Sequence, residues 1–175
     1  MVNELVLLPS SLADIEAIKL RCKTIVTRRA LTSAGVSMVP VPGLDFATDV
    51  GLLLQLIPQI DRQFGLSPAQ IEKLNPKQRI AVYKAIVTFG GAMIGRLVNR
   101  DLAIRALKTV GLRITTKQAT KYVPVAGQAL SAALGFAAIR YVGMQHIEDC
   151  ARVLRAVLED EKKAATGYPH AERVR

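Results

Sequence analysis

Histidine and cysteine are the side chains best suited to metal binding or nucleophilic chemistry, and the chain has two of each. We find no cysteine or histidine partner at ligand spacing for His146 or His170, and therefore predict no metal site. Cys22 and Cys150 lie on apolar helical faces, which predicts buried thiols that behave as small hydrophobic side chains. A disulfide or a nucleophile is the alternative, and free thiols would suit a reducing compartment.

The carboxylates and the glycine-containing segment do not predict a catalytic or nucleotide-binding site either. Asp45 and Asp49 lie four residues apart at the start of a predicted helix, where acids bind free amides and favour the helix dipole. A cation site or an acid–base pair is the alternative. Residues 90–97 superficially resemble a phosphate loop, but Arg96 stands where lysine is needed and Leu97 where serine or threonine is needed. We predict a non-enzymatic protein without catalytic, cofactor-binding or metal-binding residues.

The composition combines positive charge with high apolar content. The formal charge is +10, half of the residues are hydrophobic, and only 5% are aromatic. The charge predicts attraction to phospholipid headgroups, nucleic acid or an acidic protein. The high apolar content disfavours a nucleic-acid partner. In addition, no zinc module, aromatic stacking platform or helix-turn-helix stands out in the sequence. The N-terminus lacks the basic region of a signal peptide, which predicts retention on the cytosolic side.

Helix start signals at Ser10 or Ser11, Ser67 and Asn75 and a stop signal at Gly65 divide the chain, and no segment alternates like a strand. We predict an all-α, compact multi-helix bundle with one helical domain over 1–167 and a polar C-terminal tail over 168–175. The helix near 77–98 has Ile80, Tyr83, Ile86 and Val87 among its apolar positions. The other predicted helices run over about 11–33, 44–64, 68–74, 101–110 and 127–165, with a further turn or two opening at 115–118.

One short motif occurs twice: Val39-Pro40-Val41-Pro42-Gly43 returns as Val123-Pro124-Val125-Ala126-Gly127. Each copy precedes a long apolar run, so we predict structural turns at Pro40, Pro42, Gly43 and Pro124. Small residues four apart then predict a closely packed helical hairpin, or the same packing in an ordinary water-soluble bundle. The predicted hairpin contacts are Gly91, Gly95, Gly127, Ser131 and Gly135.

The connector between those two helices concentrates positive charge. Seven basic residues face the single acid Asp101: Arg96, Arg100, Arg105, Lys108, Arg113, Lys117 and Lys121. Beside apolar helices, such a cluster predicts contact with an anionic membrane surface, worth about 1 kcal/mol per basic residue. A solvated helix face is the alternative. A lone membrane span is not predicted, because Gly127 to Ile139 would reach only about 20 Å and Arg140 follows it.

Two stretches resemble known families. Pro40, Pro42, Gly43, Asp45, Phe64, Gly65, Pro124 and Gly127 occupy the places of a pattern in the bacterial YcjF-type domain of unknown function. This resemblance implies a helical, membrane-associated domain of the kind often attached to a GTPase. The segment 115–153 also resembles the C-terminal helical region of interferon-inducible, immunity-related GTPases. Residues 1–33 are too few for a GTPase domain, so the resemblance implies a docking or membrane-linked module without nucleotide hydrolysis.

These patterns favour a membrane-associated helical module without enzymatic activity. We expect it at the cytosolic face of the membrane, peripheral or partly inserted, with an anionic membrane surface as its partner. The alternative is a soluble, cytoplasmic interaction or oligomerisation protein that docks on a separately encoded GTPase or on copies of itself. No cofactor is expected in either case.

Overall fold

The structure is a computed structural model that describes residues 8–36, 44–89, 93–95, 99–115 and 124–166. These ranges contain six α-helices and no strand, so the prediction of an all-α bundle is confirmed. The helices are α1 (Leu12–Val36), α2 (Leu44–Phe64), α3 (Pro68–Ile71), α4 (Pro76–Phe89), α5 (Arg100–Thr115) and α6 (Pro124–Thr166).

Helices α1, α2 and α6 form the main bundle. Helix α6 is the common partner, because it contacts α1, α2, α4 and α5. An Arg29–Gln55 hydrogen bond of 3.2 Å joins α1 to α2. A Lys19–Glu148 ion pair of 3.0 Å joins α1 to α6. The fully buried side chains that fill the space between the three helices include Ile15, Val26, Leu53, Leu56, Ile57, Ile60, Ile147 and Leu154.

Helices α1 and α6 lie in close contact at Gly143. A β-carbon placed there would lie 2.7 Å and 2.8 Å from the two methyl groups of Val26, and 3.3 Å from a methyl group of Leu56. Heavy atoms do not pack at such distances, and the β-branched valine has few ways to move aside. The absence of a side chain at position 143 therefore sets the spacing of the bundle.

Local start and stop signals are satisfied where they were predicted. Ser11 Oγ accepts the amide of Asp14 at 3.1 Å at the start of α1, and Asn75 Oδ1 accepts the amide of Gln78 at 2.9 Å at the start of α4. Gly65 ends α2 with a φ of 74°, a conformation that costs glycine little. These contacts confirm the predicted caps and the predicted end of α2.

Several predicted helix boundaries are wrong, among them the end of α3, which is Ile71 and not residue 74. Helix α4 ends at Phe89 and not near residue 98, and Gly95 lies in a turn with a φ of 67° that a right-handed helix does not contain. Helix α5 passes through Gly111 to Thr115, because one glycine costs a helix only about 1 kcal/mol relative to alanine. Helix α6 begins at Pro124 itself, since proline is favoured at the first helical position.

Several predictions fall on residues that are not described. Pro40, Pro42, Gly43, Gly91 and the predicted tail over 168–175 lie outside the described ranges. Helix α2 begins directly after Gly43. Among the described helices, none combines the length and the apolar character needed to cross a bilayer.

Candidate functional site

Helix α4 exposes an apolar stripe formed by Ile80, Tyr83 and Val87. Their exposed fractions are 67%, 44% and 86%, and their spacing of three and four residues puts them on one face. The sequence placed these residues among the apolar, packing positions of a helix, but the structure packs a different face. Val82 and Ala85 are the buried positions of α4. Apolar residues on both sides of α4 were the available signal that one face would lack a protein partner.

The buried face of α4 packs against the C-terminal half of α6. Between them lies a groove of about 290 Å³ whose walls include Ala85, Phe89 and Ala156. An exposed ion pair joins Lys84 Nζ to Asp160 Oδ1 at 3.9 Å across this groove. The predicted pairing of residues near 77–98 with the last helix therefore occurs at the charged end of α6.

Charged residues flank the α4 apolar stripe on both sides. At 100° per residue, Lys77 and Lys84 project along one edge of the stripe, and Arg79 projects along the other. Arg79 pairs with Glu72 at 3.2 Å, and the hydroxyl of Tyr83 donates to the other oxygen of Glu72 at 3.0 Å. This hydrogen bond raises the pKa of Tyr83, since it stabilises the protonated phenol. The stripe is therefore an apolar surface flanked by basic residues, of which Arg79 and Lys84 pair with acids.

The predicted basic connector is only partly described. Arg100, Arg105 and Lys108 project from the exposed part of α5. Arg113 lies on α5 where only the backbone is described, and Arg96, Lys117 and Lys121 lie outside the described ranges.

The structure does not place Gly95 in the predicted small-residue contact with the last helix. A β-carbon on Gly95 would meet the side chains of Ile86 and Ile71 at 3.2 and 3.4 Å, so its neighbours belong to α4 and α3. Gly135 is buried on α6. Gly127 and Ser131 lie on α6 where only the backbone is described. Gly95 is a turn residue, which excludes it from a helix-to-helix glycine seam.

Asp49 also departs from its predicted role. It lies in the second turn of α2, beyond the amides that lack helical partners, and its side chain accepts a hydrogen bond from Ser33 on α1. Both side chains are buried. The contact pins α1 to α2 at one end of the bundle, so it replaces the predicted capping role.

A second group of buried polar side chains lies further along α2, deep inside the bundle. His146 Nε2 is 2.8 Å from Asp61 Oδ1, and the Cys150 sulfur is 3.7 Å from each of these atoms. The three side chains are 0–1% exposed and come from α2 and α6. Among the described residues, none hydrogen-bonds to Nδ1 of His146. We call this group the buried polar layer.

Cys22 on α1 lies at the level of this layer. The Ser33–Asp49 and Arg29–Gln55 contacts fix an antiparallel register that places Cys22 opposite Asp61. Both cysteines are free thiols, as expected for the buried positions predicted from the sequence. Burial raises the pKa of Cys22 to about 11. Burial also raises the pKa of Cys150 well above its usual value, with further contributions from Asp61 and, more weakly, from Cys22.

The sequence prediction that His146 has no ligand-spaced partner is wrong. Cys150 follows it by four residues, and a spacing of four puts both side chains on one face of α6. That signal was present in the sequence. Asp61 was not recognisable in the same way, because it reaches the layer through the packing of α2 on α6. The raised thiol pKa and the lack of exposure argue against nucleophilic attack by Cys150 on a dissolved substrate.

Comparison of the chain with family models, curated proteins and solved structures finds no match.

Proposed function

We propose that this chain is a non-enzymatic helical module that binds reversibly to the anionic, cytosolic face of a membrane through the α4 apolar stripe. The exposure of Ile80, Tyr83 and Val87 between basic residues carries the proposal. Helices that lie in the membrane interface place apolar side chains among acyl chains while lysine and arginine stay at headgroup level.

The magnitude predicted for this contact is small. Covering the exposed parts of the three stripe side chains would contribute about 3–6 kcal/mol, from about 1.5–3 kcal/mol for a fully buried apolar side chain. Lys77 would add about 1 kcal/mol beside anionic lipid, and Lys84 would add less because it pairs with Asp160. A total of about 4–7 kcal/mol corresponds to an association constant of about 10³–10⁵ M⁻¹. The proposed attachment is therefore weak, reversible and sensitive to salt.

The exposed basic residues of α5 support an anionic partner. Arg100, Arg105 and Lys108 carry three of the positive charges of a chain whose formal charge is +10. Their attraction to an anionic leaflet acts within about 10 Å at ordinary ionic strength, so it requires α5 to approach the surface that the stripe contacts.

A protein partner is the second candidate, and one observation favours it. The exposed acids Glu159 and Asp160 of α6 lie across the groove from α4, where an anionic leaflet would repel them. A protein surface with its own apolar strip and nearby basic residues would match both features. A separately encoded GTPase, in line with the family resemblance, or a second copy of the chain would be such a partner.

Vesicle flotation tests the membrane proposal. We expect the wild-type chain to float with vesicles containing phosphatidylserine at low salt, and to float less with neutral phosphatidylcholine vesicles or at high salt. The double variant Ile80→Ser/Val87→Ser should bind at least about tenfold more weakly, because it removes most of the apolar contribution.

The chain supplies a matched control on α1. Leu20 and Leu31 are 65% and 59% exposed, so Leu20→Ser/Leu31→Ser removes a similar amount of exposed apolar surface away from α4. This control should float like wild type. A chain that stays unbound to both vesicle types at low salt contradicts the membrane proposal. Sedimentation of that chain, with and without the α4 substitutions, would then test self-association through the stripe.

A further inference from the structure

The buried polar layer has the composition of a metal site and not that of a finished hydrogen-bond network. A carboxylate, an imidazole and a thiol meet inside an apolar bundle, and each offers one ligand atom within 4.8 Å of the other two. Buried polar groups are normally satisfied, yet Nδ1 of His146 has no partner among the described residues. An ion bound at Nε2 would leave Nδ1 unpaired as well, so the three convergent ligand atoms, and not Nδ1, indicate a metal.

The distances between the three ligand atoms approach those of a tetrahedral zinc site. Zinc bonds of about 2.0 Å to nitrogen and oxygen and about 2.3 Å to sulfur imply about 3.6 Å from sulfur to either lighter ligand, and about 3.3 Å between nitrogen and oxygen. The corresponding distances are 3.7 Å, 3.7 Å and 2.8 Å. Only the Asp61–His146 separation must open, by about 0.5 Å, for the three atoms to surround one ion.

A fourth ligand could come from α1 if Cys22 moves toward the ion, because its sulfur does not lie within 4.8 Å of all three ligand atoms. Cys22 is fully buried, and the register of α1 against both α2 and α6 places it at the level of Asp61 and His146. Structural zinc is usually held by four protein ligands drawn from cysteine, histidine and carboxylate, in a closed site. With Cys22 included, one ion would connect α1, α2 and α6.

The charges also suit a divalent ion. Zn²⁺ bound by the Asp61 carboxylate and the Cys150 thiolate forms a neutral group with His146, and a second thiolate from Cys22 leaves one net negative charge. A mixed set of sulfur, nitrogen and oxygen ligands suits zinc better than magnesium or calcium, which prefer oxygen. Each thiol that binds must release its proton, so tighter binding is expected as pH rises.

We propose that Asp61, His146 and Cys150 form a structural binding site for Zn²⁺ or a chemically similar ion that joins α2 to α6, and that also joins α1 when Cys22 moves in as the fourth ligand. Because the ligands are 0–1% exposed, the ion enters during folding or through a local opening of the bundle. The lack of an acceptor for Nδ1 of His146 predicts binding about 10–100-fold weaker than at a site with complete outer hydrogen bonds.

Refolding with Co²⁺ tests the site, since cobalt reports its ligands by absorbance. The reduced chain, refolded with Co²⁺, should bind one ion and show the strong visible bands of a tetrahedral site with a thiolate-to-cobalt band in the near ultraviolet. Added Zn²⁺ should bleach both. Cys150→Ser should weaken binding at least about 100-fold and diminish the thiolate band, and Cys22→Ser should diminish that band in the same way.

The only other histidine provides the control, because His170→Ala should leave the spectrum and the affinity unchanged. Circular dichroism would show whether each variant still folds. If Cys150→Ser does not fold, the wild-type melting temperature decides: it should rise with Zn²⁺ concentration and not with Mg²⁺. A folded wild type that shows neither tetrahedral bands nor a zinc-dependent melting temperature overturns the proposal, as does a folded Cys150→Ser with an unchanged spectrum.

Discussion

The centre of the bundle and the outer face of α4 use similar side chains in opposite ways. Three helices bury the side chains of Leu56 and Val26 completely and leave no room for a β-carbon at position 143. On α4, Ile80 and Val87 are mostly exposed, although they are as apolar as the residues of the centre. The contrast indicates that an apolar side chain in this protein is buried only where another helix packs against it. Its hydropathy alone does not determine its burial.

The contrast also separates two kinds of selection on the sequence. Side chains at the centre are fixed by stability, because each one is enclosed by others at crystal-like density. The α4 apolar stripe contributes little to the stability of the isolated fold, so its apolar character calls for a reason outside the described chain, such as a membrane or a partner protein. Mutations on the two surfaces should therefore have very different effects on the free energy of unfolding.

The largest effect is expected at the centre. Leu56→Ala should lower the free energy of unfolding by about 2–5 kcal/mol, because it removes a fully buried side chain and leaves a cavity that packed helices close only in part. Urea denaturation measures the change. Leu20→Ala, at an exposed position on α1, is the control and should change stability by less than about 0.5 kcal/mol. Equal effects of the two variants would show that α1, α2 and α6 do not enclose Leu56.

An intermediate effect on stability is expected at the close contact of α1 and α6 around Gly143. Gly143→Ala should destabilise the fold by about 1–3 kcal/mol despite the better helix propensity of alanine, since the new methyl group would overlap Val26. Gly143→Ala/Val26→Ala should recover part of the loss, because the second change removes the methyl groups that clash. A Gly143→Ala chain as stable as wild type would contradict the close contact of α1 and α6.

Much of the fold could be predicted from the sequence because its signals are local. Caps at Ser11 and Asn75 and the glycine end of α2 depend on residues a few positions apart, and all of them are present. The predicted helix boundaries are wrong where a glycine or a proline is compatible with a helix as well as with its end. Gly111 continues α5, and Pro124 begins α6, because a residue that disfavours the middle of a helix can be neutral or favourable elsewhere.

The buried polar layer could be predicted only in part. His146 and Cys150 share a face of α6 by their spacing alone, whereas Asp61 lies 85 residues away in sequence and joins them only through the packing of α2 on α6. The exposure of the α4 apolar stripe also depends on packing. Periodicity shows that α4 has apolar residues on more than one side, but only the position of α6 decides which side is buried.

The smallest effect on stability is expected on the α4 apolar stripe. This variant distinguishes most clearly between the exposed face of α4 and the buried centre of the bundle. Ile80→Ser/Val87→Ser should change the free energy of unfolding by less than about 1 kcal/mol in urea, because both side chains are already mostly in water. The same variant is expected to lose vesicle binding. A loss of several kcal/mol would mean that the stripe packs inside the protein in solution, for example against a second copy. Protein-concentration dependence of wild-type stability, abolished in the double variant, would identify that case, since only an associating fold gains stability with concentration.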